Sequence, residues 1–273
     1  MPPIRKLNLW AVDLMYGVSD RLSLDLTVPF LSGSGGFYDP NRSGQFFAFS
    51  EGGIGDVSLQ GEYWLNDPYG SSPITGSVNV GIKAPTGADS IEGIYANGDM
   101  VTIDETFQMG NGGWELLFRA QGQARISNSF LAYGSGYYGL SLTEHVNVFH
   151  YRPAGTPVAL RGVPDTYSGR LGAGYVLPFL EGLVLTAGGR INGVTKTDLI
   201  GGADLFWRRP GYEIYVEPGL SWTLGDNIAS VSVPVGVYQR RTMSPLEESA
   251  PNPAPPGAGF VPYLVIASYA RRF

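Results

Sequence analysis

The chain has 273 residues, no cysteine and only 15% charged residues, so neither a disulfide framework nor a thiolate metal site is available. Its net charge of −6 and sequence pI of about 4.9 argue against nucleic-acid binding, because nucleic-acid-binding proteins carry a basic surface. Mean hydropathy is −0.01, and no window reaches the roughly 18 apolar residues that a membrane-spanning helix requires.

The first clear element, residues 21–30, alternates between apolar and polar residues with a period of two. Leu24 and Leu26 share one face, while Arg21 and Asp25 share the other, which is typical of a β-strand with one apolar face. The same alternation recurs along the chain. In chain order, the predicted strands cover about residues 5–16, 21–31, 54–65, 74–84, 114–126, 129–142, 166–177, 182–192, 212–224, 227–240 and 260–273.

These strands are long, and their connections fall into two kinds. Most have ten to fourteen residues, whereas about five or six is most common in soluble sheets and a tilted strand needs about 9–11 to cross a bilayer. Tight connections alternate with long ones, which is the plan of an outer-membrane barrel. The tight connections are 18–20, 127–129, 178–182 and 225–227, with 66–73 intermediate, and the long ones are 32–53, 85–113, 143–165, 193–211 and 241–259.

Charged residues accumulate on the polar faces of the strands. A soluble antiparallel sandwich also has one apolar face, and its polar face lies in solvent. In a membrane barrel the polar face points into the lumen, and closure of the sheet removes unpaired edges. We therefore predict an all-β fold, a transmembrane antiparallel up-and-down β-barrel that forms a single domain over residues 1–273 in the lipid bilayer of the bacterial outer membrane. The predicted lumen-lining residues are Arg21, Asp25, Asp56, Glu62, Lys83, Glu115, Arg119, Arg125, Arg170, Arg190, Glu213 and Glu217.

The number of visible strands is eleven, whereas bacterial single-chain barrels have an even number. We expect about twelve strands, with an N-terminal strand and a secretory signal upstream of Met1. The alternative is a strand pair hidden within 85–113 or 193–211. Residues 1–17 do not have the pattern of a signal peptide, because Asp13 interrupts the apolar run.

Several segments together resemble a known family. They are "YGVSDRLSLDLTVPF" (16–30), "GGIGDVSLQGEYWL" (52–65), "GIKAPTGAD" (81–89), "FQMGNGGWELLF" (107–118), "VEPGLSWTLGDN" (216–227) and the terminal "SYARRF" (268–273). In order and spacing they are similar to the motifs of the outer-membrane β-barrel family labelled meta-pathway phenol degradation protein. The resemblance implies an outer-membrane barrel that moves hydrophobic or aromatic compounds. The chain departs from the family at its end, where an alanine precedes Arg-Arg-Phe.

The last predicted strand ends on Phe273. Outer-membrane barrels resemble one another in closing on an aromatic residue that the barrel-assembly machinery reads. We therefore expect Tyr269 and Phe273 to form an assembly signal and to face lipid. Arg271 shares their face near the membrane interface, where its long side chain can reach the headgroups.

Other candidate sites lie in the long connections. His145 and His150 lack the neighbouring serine that an outer-membrane phospholipase needs, and their spacing does not place both on one face for a metal ion. We expect both to be solvated and predict no metal and no cofactor.

Two further clusters of side chains also lie in the long connections. An acidic cluster could offer oxygen ligands to calcium, but EF-hand spacing is absent, so a solvated loop is favoured. An aromatic cluster either folds inward to contact an apolar solute or caps the barrel mouth. The acidic cluster is Asp89, Glu92, Asp99, Asp104 and Glu105, and the aromatic cluster is Phe37, Tyr38, Phe46, Phe47 and Phe49. The Pro-rich stretch 244–259 cannot supply ladder hydrogen bonds and is predicted to be an exposed loop.

The lumen residues have two interpretations. Facing charges can set the selectivity of a channel, or they can fill and rigidify a narrow barrel, which we favour for about twelve strands. We predict a passive channel for small hydrophobic or aromatic molecules that is not an enzyme. The alternatives are a non-transporting structural or surface-interaction barrel, with loops 32–53 and 85–113 as its contact surface, and thirdly an enzyme of the outer-membrane phospholipase type.

Overall fold

The computed structural model describes residues 4–38, 46–68, 70–94, 100–103, 105–150, 159–201, 206–250 and 261–273, and nearly all of their regular structure is β. The helical segments among them are short, a 3-10 turn η1 (Glu105–Phe107) and a single-turn helix α1 (Pro245–Glu248). Within these ranges no helix is long and apolar enough to cross a membrane. The strands are β1 (Ile4–Gly17), β2 (Leu22–Tyr38), β3 (Phe46–Ile54), β4 (Ser58–Trp64), β5 (Ile74–Lys83), β6 (Glu92–Ile94), β7 (Met100–Thr102), β8 (Glu115–Arg125), β9 (Phe130–Ser141), β10 (His145–His150), β11 (Ala159–Gly162), β12 (Thr166–Val176), β13 (Leu183–Val194), β14 (Gly211–Leu224), β15 (Asn227–Ser232), β16 (Val235–Arg241) and β17 (Ile266–Arg271).

One large sheet follows the chain as an antiparallel meander. Its path is β1-β2-β4-β5-β8-β9-β12-β13-β14-β15-β17. β3 and β4 pair with successive parts of the long strand β2. In the same way, β15 and β16 pair with successive parts of β14. The predicted up-and-down order of eleven strands is therefore confirmed, and the sheet is strongly curled into a half-barrel.

Two of the predicted strands, 54–65 and 227–240, are interrupted in the structure. Between β15 and β16, Pro234 has no backbone N–H and cannot continue the ladder with β14. Between β3 and β4, the backbone N–H of Gly55 donates to the Pro29 carbonyl over 2.8 Å, and the regular pairing with β2 resumes only at Ser58. Alternation in the sequence runs through both positions and therefore does not reveal the breaks.

The two ends of the sheet differ in the length of their connections. At one end, called the turn end, the chain reverses within 18–21, 65–73, 126–129, 177–182 and 225–226. In the two-residue turn between β14 and β15, Gly225 has a φ of 56°, which a tight hairpin favours. The opposite end, called the loop end, carries the long connections, as predicted.

Small elements lie inside the long connections. A strand pair within 85–113 was the alternative prediction, and β6–β7 is such a pair, although it does not join the large sheet. The other small elements were not predicted. β3 extends the second strand pair, and β6–β7 and β10–β11 form two separate hairpins at the loop end. The hairpin strands have three to six residues. Such short segments contain too few residues for a periodic signal to stand out from a loop.

The two faces of the large sheet have opposite character. On β2, Leu24 is 42% exposed whereas Asp25 is 8% exposed, and on β5, Val80 is 57% exposed whereas Ser77 is 1% exposed. The polar face is covered and the apolar face is open, which is the reverse of a soluble sheet packed on an apolar core.

Buried apolar side chains gather at the loop end. Ala159, Trp207 and Leu246 form a cluster there, while Phe107 and Met109 lie on the segment that follows β7. Apolar packing therefore holds the long connections together, whereas the strands expose their apolar residues.

The edges of the sheet are β1 and β17. Among the described residues, no ladder joins these two strands, and β17 pairs only with β15. β17 is also shorter than the predicted strand 260–273, because only Ile266–Arg271 is in regular β geometry. A further strand remains a prediction.

Candidate functional site

The polar face of the sheet is its concave face. The Gln121 Nε2 on β8 donates to Glu62 Oε1 on β4 over 2.8 Å, although β5 lies between them. The Arg170 Nη2 on β12 lies 3.1 Å from Glu217 Oε1 on β14, across β13. Long side chains two strands apart meet on this side of the strongly curled sheet. We call this side the inner face.

The predicted lumen residues do not all occupy the same kind of position. Arg21 lies in the exposed turn between β1 and β2, and Asp56 lies in the break between β3 and β4. The other ten are strand residues that share the inner face through the pairing registers: Asp25, Glu62, Lys83, Glu115, Arg119, Arg125, Arg170, Arg190, Glu213 and Glu217.

A first charge cluster lies near the loop end. The Lys83 Nζ contacts Asp56 Oδ2 at 3.0 Å and Glu115 Oε1 at 2.8 Å. The Asp56 carboxylate also accepts from the backbone N–H groups of Gly87 and Asn111, each over 3.0 Å. Asp56 therefore holds both ends of the connection between β5 and β8 against the strands of the large sheet, which we call the wall.

That connection folds onto the inner face. The buried Phe107 ring lies so close to β2 that a Cβ added at Gly33 would be 2.9 Å from Phe107 Cδ1. The buried Gln108 side chain accepts from the Ile91 N–H over 2.8 Å and donates to the carbonyls of Ile91 and Ile103, each over 3.1 Å. The segment is therefore internally braced, and it narrows the space enclosed by the strands.

A second charge cluster lies on β12, β13 and β14. The Arg190 guanidinium donates to both oxygens of Glu217, over 2.7 and 3.1 Å, and Ser232 Oγ donates to the same carboxylate over 2.8 Å. Arg170 approaches Glu217 as well, and its guanidinium carbon lies 4.8 Å from the centre of the Tyr133 ring. Two arginines thus share one fully buried carboxylate.

Acidic groups on β1, β2 and β4 make no ion pair with a cation of the described residues. Ser77 Oγ donates to Glu62 Oε1 over 2.6 Å, which together with Gln121 gives that carboxylate two neutral donors. Thr27 Oγ1 donates to Asp13 Oδ1 over 2.6 Å. In the described part of the chain, neither Asp25 nor Glu62 makes an ion pair. The inner face is therefore acidic on β1, β2 and β4, and basic on β8, β12 and β13.

Many buried polar atoms of the inner face have no hydrogen-bond partner among the described residues. They are Ser23 Oγ, Asp25 Oδ1, Gln60 Oε1, Thr75 Oγ1, Asn79 Oδ1, Tyr133 OH, Arg170 Nε and Glu213 Oε2. A buried polar group without a protein partner is costly unless water or a solute satisfies it. These atoms are distributed over β2, β4, β5, β9, β12 and β14, so unsatisfied polar groups occur across most of the inner face.

Cavities follow the inner face from one end to the other. A cavity of about 210 Å³ lies at the turn end beside Pro68, Arg125 and Asn128. A cavity of about 300 Å³ lies between Trp64 and Arg170, and Thr75 and Gln123 line both of these spaces. A third cavity of about 420 Å³ lies at the loop end, lined by Leu9, Leu31, Met109, Arg161, Arg208 and Glu105 among others.

Charged residues also hold the long connections together at the loop end, and we call this layer of connections the roof. The buried Asp165 accepts from the Ser141 N–H and the Tyr138 hydroxyl, each over 2.7 Å, and from the Leu199 N–H over 2.8 Å. The Arg208 guanidinium donates to both oxygens of Asp198 over 2.7 and 2.8 Å. These contacts join the connections between β9 and β12 and between β13 and β14.

Arg161 on β11 completes this roof. Its Nη2 donates to the Asn111 carbonyl over 3.2 Å and lies 3.6 Å from Asp89 Oδ2. Burial lowers the pKa of the Arg161 guanidinium, and the charges of Glu105 and Asp89 oppose this effect. The sequence did not predict Arg161, Asp165, Asp198 or Arg208 as site residues, because isolated charges in long loops carry no periodic signal.

The loop predictions have mixed outcomes. His145 is not freely solvated, because its ring stacks on Phe206 with centroids 4.2 Å apart. The side chain of His150 lies outside the described residues, as do Asp99 and Asp104 of the acidic cluster, the side chains of the predicted aromatic cluster, and 251–259 of the Pro-rich stretch. In the ranges that the structure covers, no group of three His, Asp or Glu residues could hold a metal ion.

The C-terminal residues lie at the turn end. Tyr269 pairs with Ala229 on the outer face, and its hydroxyl donates to Asn227 Oδ1 over 2.7 Å. Phe273 follows the end of β17 and is exposed, with the Arg271 guanidinium 5.3 Å from the centre of its ring. Both aromatic rings are therefore open to the surroundings on the apolar side.

Comparison with known proteins supports the fold. No protein-family profile and no curated protein matches the chain. Among solved structures, the chain is similar to the crystal structure of the COG4313 outer membrane channel from Pseudomonas putida F1, with a TM-score of 0.52 and 15% sequence identity over 86% of this chain and 77% of that one. At this identity the likeness concerns the fold, which is that of an outer-membrane β-barrel.

Proposed function

We propose that the protein spans the bacterial outer membrane and acts as a passive channel for small solutes. The observation that carries this proposal is the set of buried inner-face atoms that need water or a solute as a hydrogen-bond partner. A lumen that was merely filled by paired side chains would satisfy these atoms internally. Three cavities along the same face are consistent with a pathway from the loop end to the turn end.

The membrane location is supported by the outer face of the sheet. Apolar side chains are exposed on strands across the whole sheet, such as Leu59 on β4, Leu171 on β12 and Val216 on β14. A continuous apolar surface of this kind is stable in contact with lipid and unfavourable in water. The lipid bilayer is accordingly the proposed partner, and the exposed Tyr269 and Phe273 are proposed to be read by the barrel-assembly machinery.

The solute class that we propose is small hydrophobic or aromatic compounds. The support is the resemblance of the sequence to the phenol degradation family, together with aromatic and apolar side chains along the cavities. Trp64 and Tyr133 line the central cavity, and Leu9, Leu31 and Met109 line the one at the loop end. The proposed activity is transport without chemical conversion of the solute.

The experiment that tests the channel is single-channel recording in planar bilayers. We expect discrete conductance steps in potassium chloride from the purified, refolded protein. The double variant Arg119→Ala with Arg170→Ala removes two inner-face cations and should enlarge the current steps. An absence of conductance in both proteins would rule out the channel.

The inward fold of the connection between β5 and β8 favours one other candidate. A barrel closed by Phe107 and its neighbours would be a structural or surface-interaction protein, with loops 32–53 and 85–113 as its contact surface. This candidate predicts no conductance and no change on removal of the two arginines.

A further inference from the structure

The arginine–glutamate cluster of the inner face has a surplus positive charge. Glu217 carries one negative charge, while Arg170 and Arg190 each carry a positive one. Arg190 forms both of its bonds to Glu217 at 2.7 and 3.1 Å, and Ser232 satisfies the same carboxylate at 2.8 Å. Glu217 is thus fully engaged without Arg170, and the second arginine is incompletely neutralised.

Arg170 has hydrogen-bonding capacity to spare. A guanidinium has five N–H donors, yet in the described residues the polar contact of Arg170 is the approach of Nη2 to Glu217 at 3.1 Å. Its Nε is buried and has no acceptor among the residues that the structure describes. Tyr133 supports one face of the guanidinium, with 4.8 Å between the guanidinium carbon and the ring centre, so the group is held in place.

The free side of Arg170 opens into the central cavity. This cavity has a volume of about 300 Å³ and is lined by Arg170, Tyr133, Gln121, Gln123 and Ser135 among others. About 31% of the Arg170 side chain is exposed. The remaining lining groups named here are neutral amides and hydroxyls, which can donate to an anionic solute or accept from a polar one.

Among the described residues, no other inner-face cation combines unused donors with a supporting aromatic ring. Lys83 lies between the two carboxylates of Asp56 and Glu115, which leaves that cluster with a negative surplus. Arg119 and Arg125 are exposed, and among the described residues neither guanidinium lies over an aromatic ring, so water competes for their donors.

We propose that Arg170 and the central cavity form a binding site for small organic carboxylates. The carboxylate would accept hydrogen bonds from the accessible edge of the Arg170 guanidinium, and the body of the solute would lie against Gln121, Gln123 and Ser135. A bound anion neutralises the surplus charge of the cluster, so the interaction is stronger than for a neutral molecule of the same shape. The inference rests on the proposed channel and names a class of solute that the channel selects.

The test uses benzoate and benzamide, which share a ring and differ in charge. The full-length protein is refolded into planar bilayers, and each compound is added during recording of the potassium chloride current. We expect benzoate to interrupt the current in a concentration-dependent manner and benzamide at equal concentration to leave it unchanged. Arg170→Gln should weaken the apparent affinity for benzoate by about 10-fold or more, since a hydrogen bond to a charged group contributes about 1.5–3 kcal/mol.

Matched variants keep the result interpretable. Arg125→Gln removes an inner-face arginine that does not line the central cavity, and it should leave the benzoate effect unchanged. Arg170→Lys retains the charge without the planar donor edge and should give an intermediate affinity. Arg170→Gln should still fold, because Glu217 keeps Arg190 and Ser232 as partners; circular dichroism checks this.

Calorimetric titration of benzoate into the protein in detergent micelles separates the two proposals. If the barrel does not conduct, the channel function fails, and binding that is lost in Arg170→Gln still supports the site. If the barrel conducts but benzoate neither binds nor interrupts the current, the site is overturned while the channel stands. Equal affinities for Arg170→Gln and the unaltered protein would also overturn it.

Discussion

At the scale of single residues, neighbouring positions on one strand meet different surroundings. Leu171 on β12 is 72% exposed on the outer face, whereas Arg170 beside it contacts Glu217 on the inner face. A substitution is therefore judged first by the face it falls on and only then by its chemistry.

Leu171→Arg should impair insertion of the barrel. The position is near the middle of β12, and an arginine on the lipid face near the bilayer midplane costs about 2–4 kcal/mol. The urea midpoint for unfolding from lipid vesicles measures the effect. Gln123→Arg, on the inner face, is the matched control and should change the midpoint little. Equal losses at the two positions would mean that the faces are assigned the wrong way round.

Glu217→Gln should lower stability by leaving Arg170 and Arg190 side by side without a counter-charge. We expect a loss of about 1.5–3 kcal/mol, the range for hydrogen bonds to charged groups. Thermal unfolding followed by circular dichroism in micelles measures it. Glu181→Gln, an exposed residue of the turn after β12, is the control and should unfold like the unaltered protein. A Glu217→Gln midpoint that matches it would show that the cluster adds nothing to stability.

At the scale of elements, the alternation of residues predicted the strands but not their interruptions. Alternation of apolar and polar residues in 21–31 and 74–84 identified β2 and β5, because a face in lipid imposes a strict period of two. The break at Pro234 left no trace in that alternation. Short hairpins such as β10–β11 depend on contacts with distant loops rather than on their own sequence.

The residues of the candidate site also divide into those that could be predicted from the sequence and those that could not. Glu62, Arg170 and Glu217 could be placed on the inner face from their parity within strands. The pairing of Arg208 with Asp198 could not be predicted, because it joins loop residues whose positions follow from the folded loop end as a whole. The sharing of Glu217 by two arginines also required the registers of three strands.

The connection between β5 and β8 gives a prediction at this scale. Asp56→Ala removes the acceptor that holds Lys83 and the backbone N–H groups of Gly87 and Asn111. The connection should leave the inner face more often, so the single-channel conductance should rise and become noisier. Asp226→Ala, in the exposed turn between β14 and β15, should leave the recordings unaltered. A conductance that Asp56→Ala does not change would show that the connection does not limit the passage.

At the scale of the whole molecule, the distribution of apolar surface determines whether folding is favourable in water or only in contact with lipid or detergent. The strands expose residues such as Leu14, Val80 and Leu171, and the buried apolar side chains are confined mainly to the loop end. Transfer of apolar surface out of water contributes roughly 25 cal/mol per Å². For this molecule, much of that contribution is available only when lipid or detergent covers the sheet.

We therefore expect the urea-unfolded chain to refold only in the presence of micelles or vesicles. Dilution into detergent should restore the β-type circular dichroism spectrum, whereas dilution into buffer alone should give aggregates detected by light scattering. A soluble monomer with native β content in plain buffer would contradict a membrane barrel.

The contact between Phe107 and the wall at Gly33 has a consequence for how the molecule can diversify. The wall is held by continuous ladders, in which a shift of one residue would exchange its two faces, so its pattern tolerates little change. The bore is narrowed by a connection that contributes no strand to those ladders. The width of the bore and the strand pairing of the wall thus depend on separate segments, so one connection can be exchanged without altering the ladders.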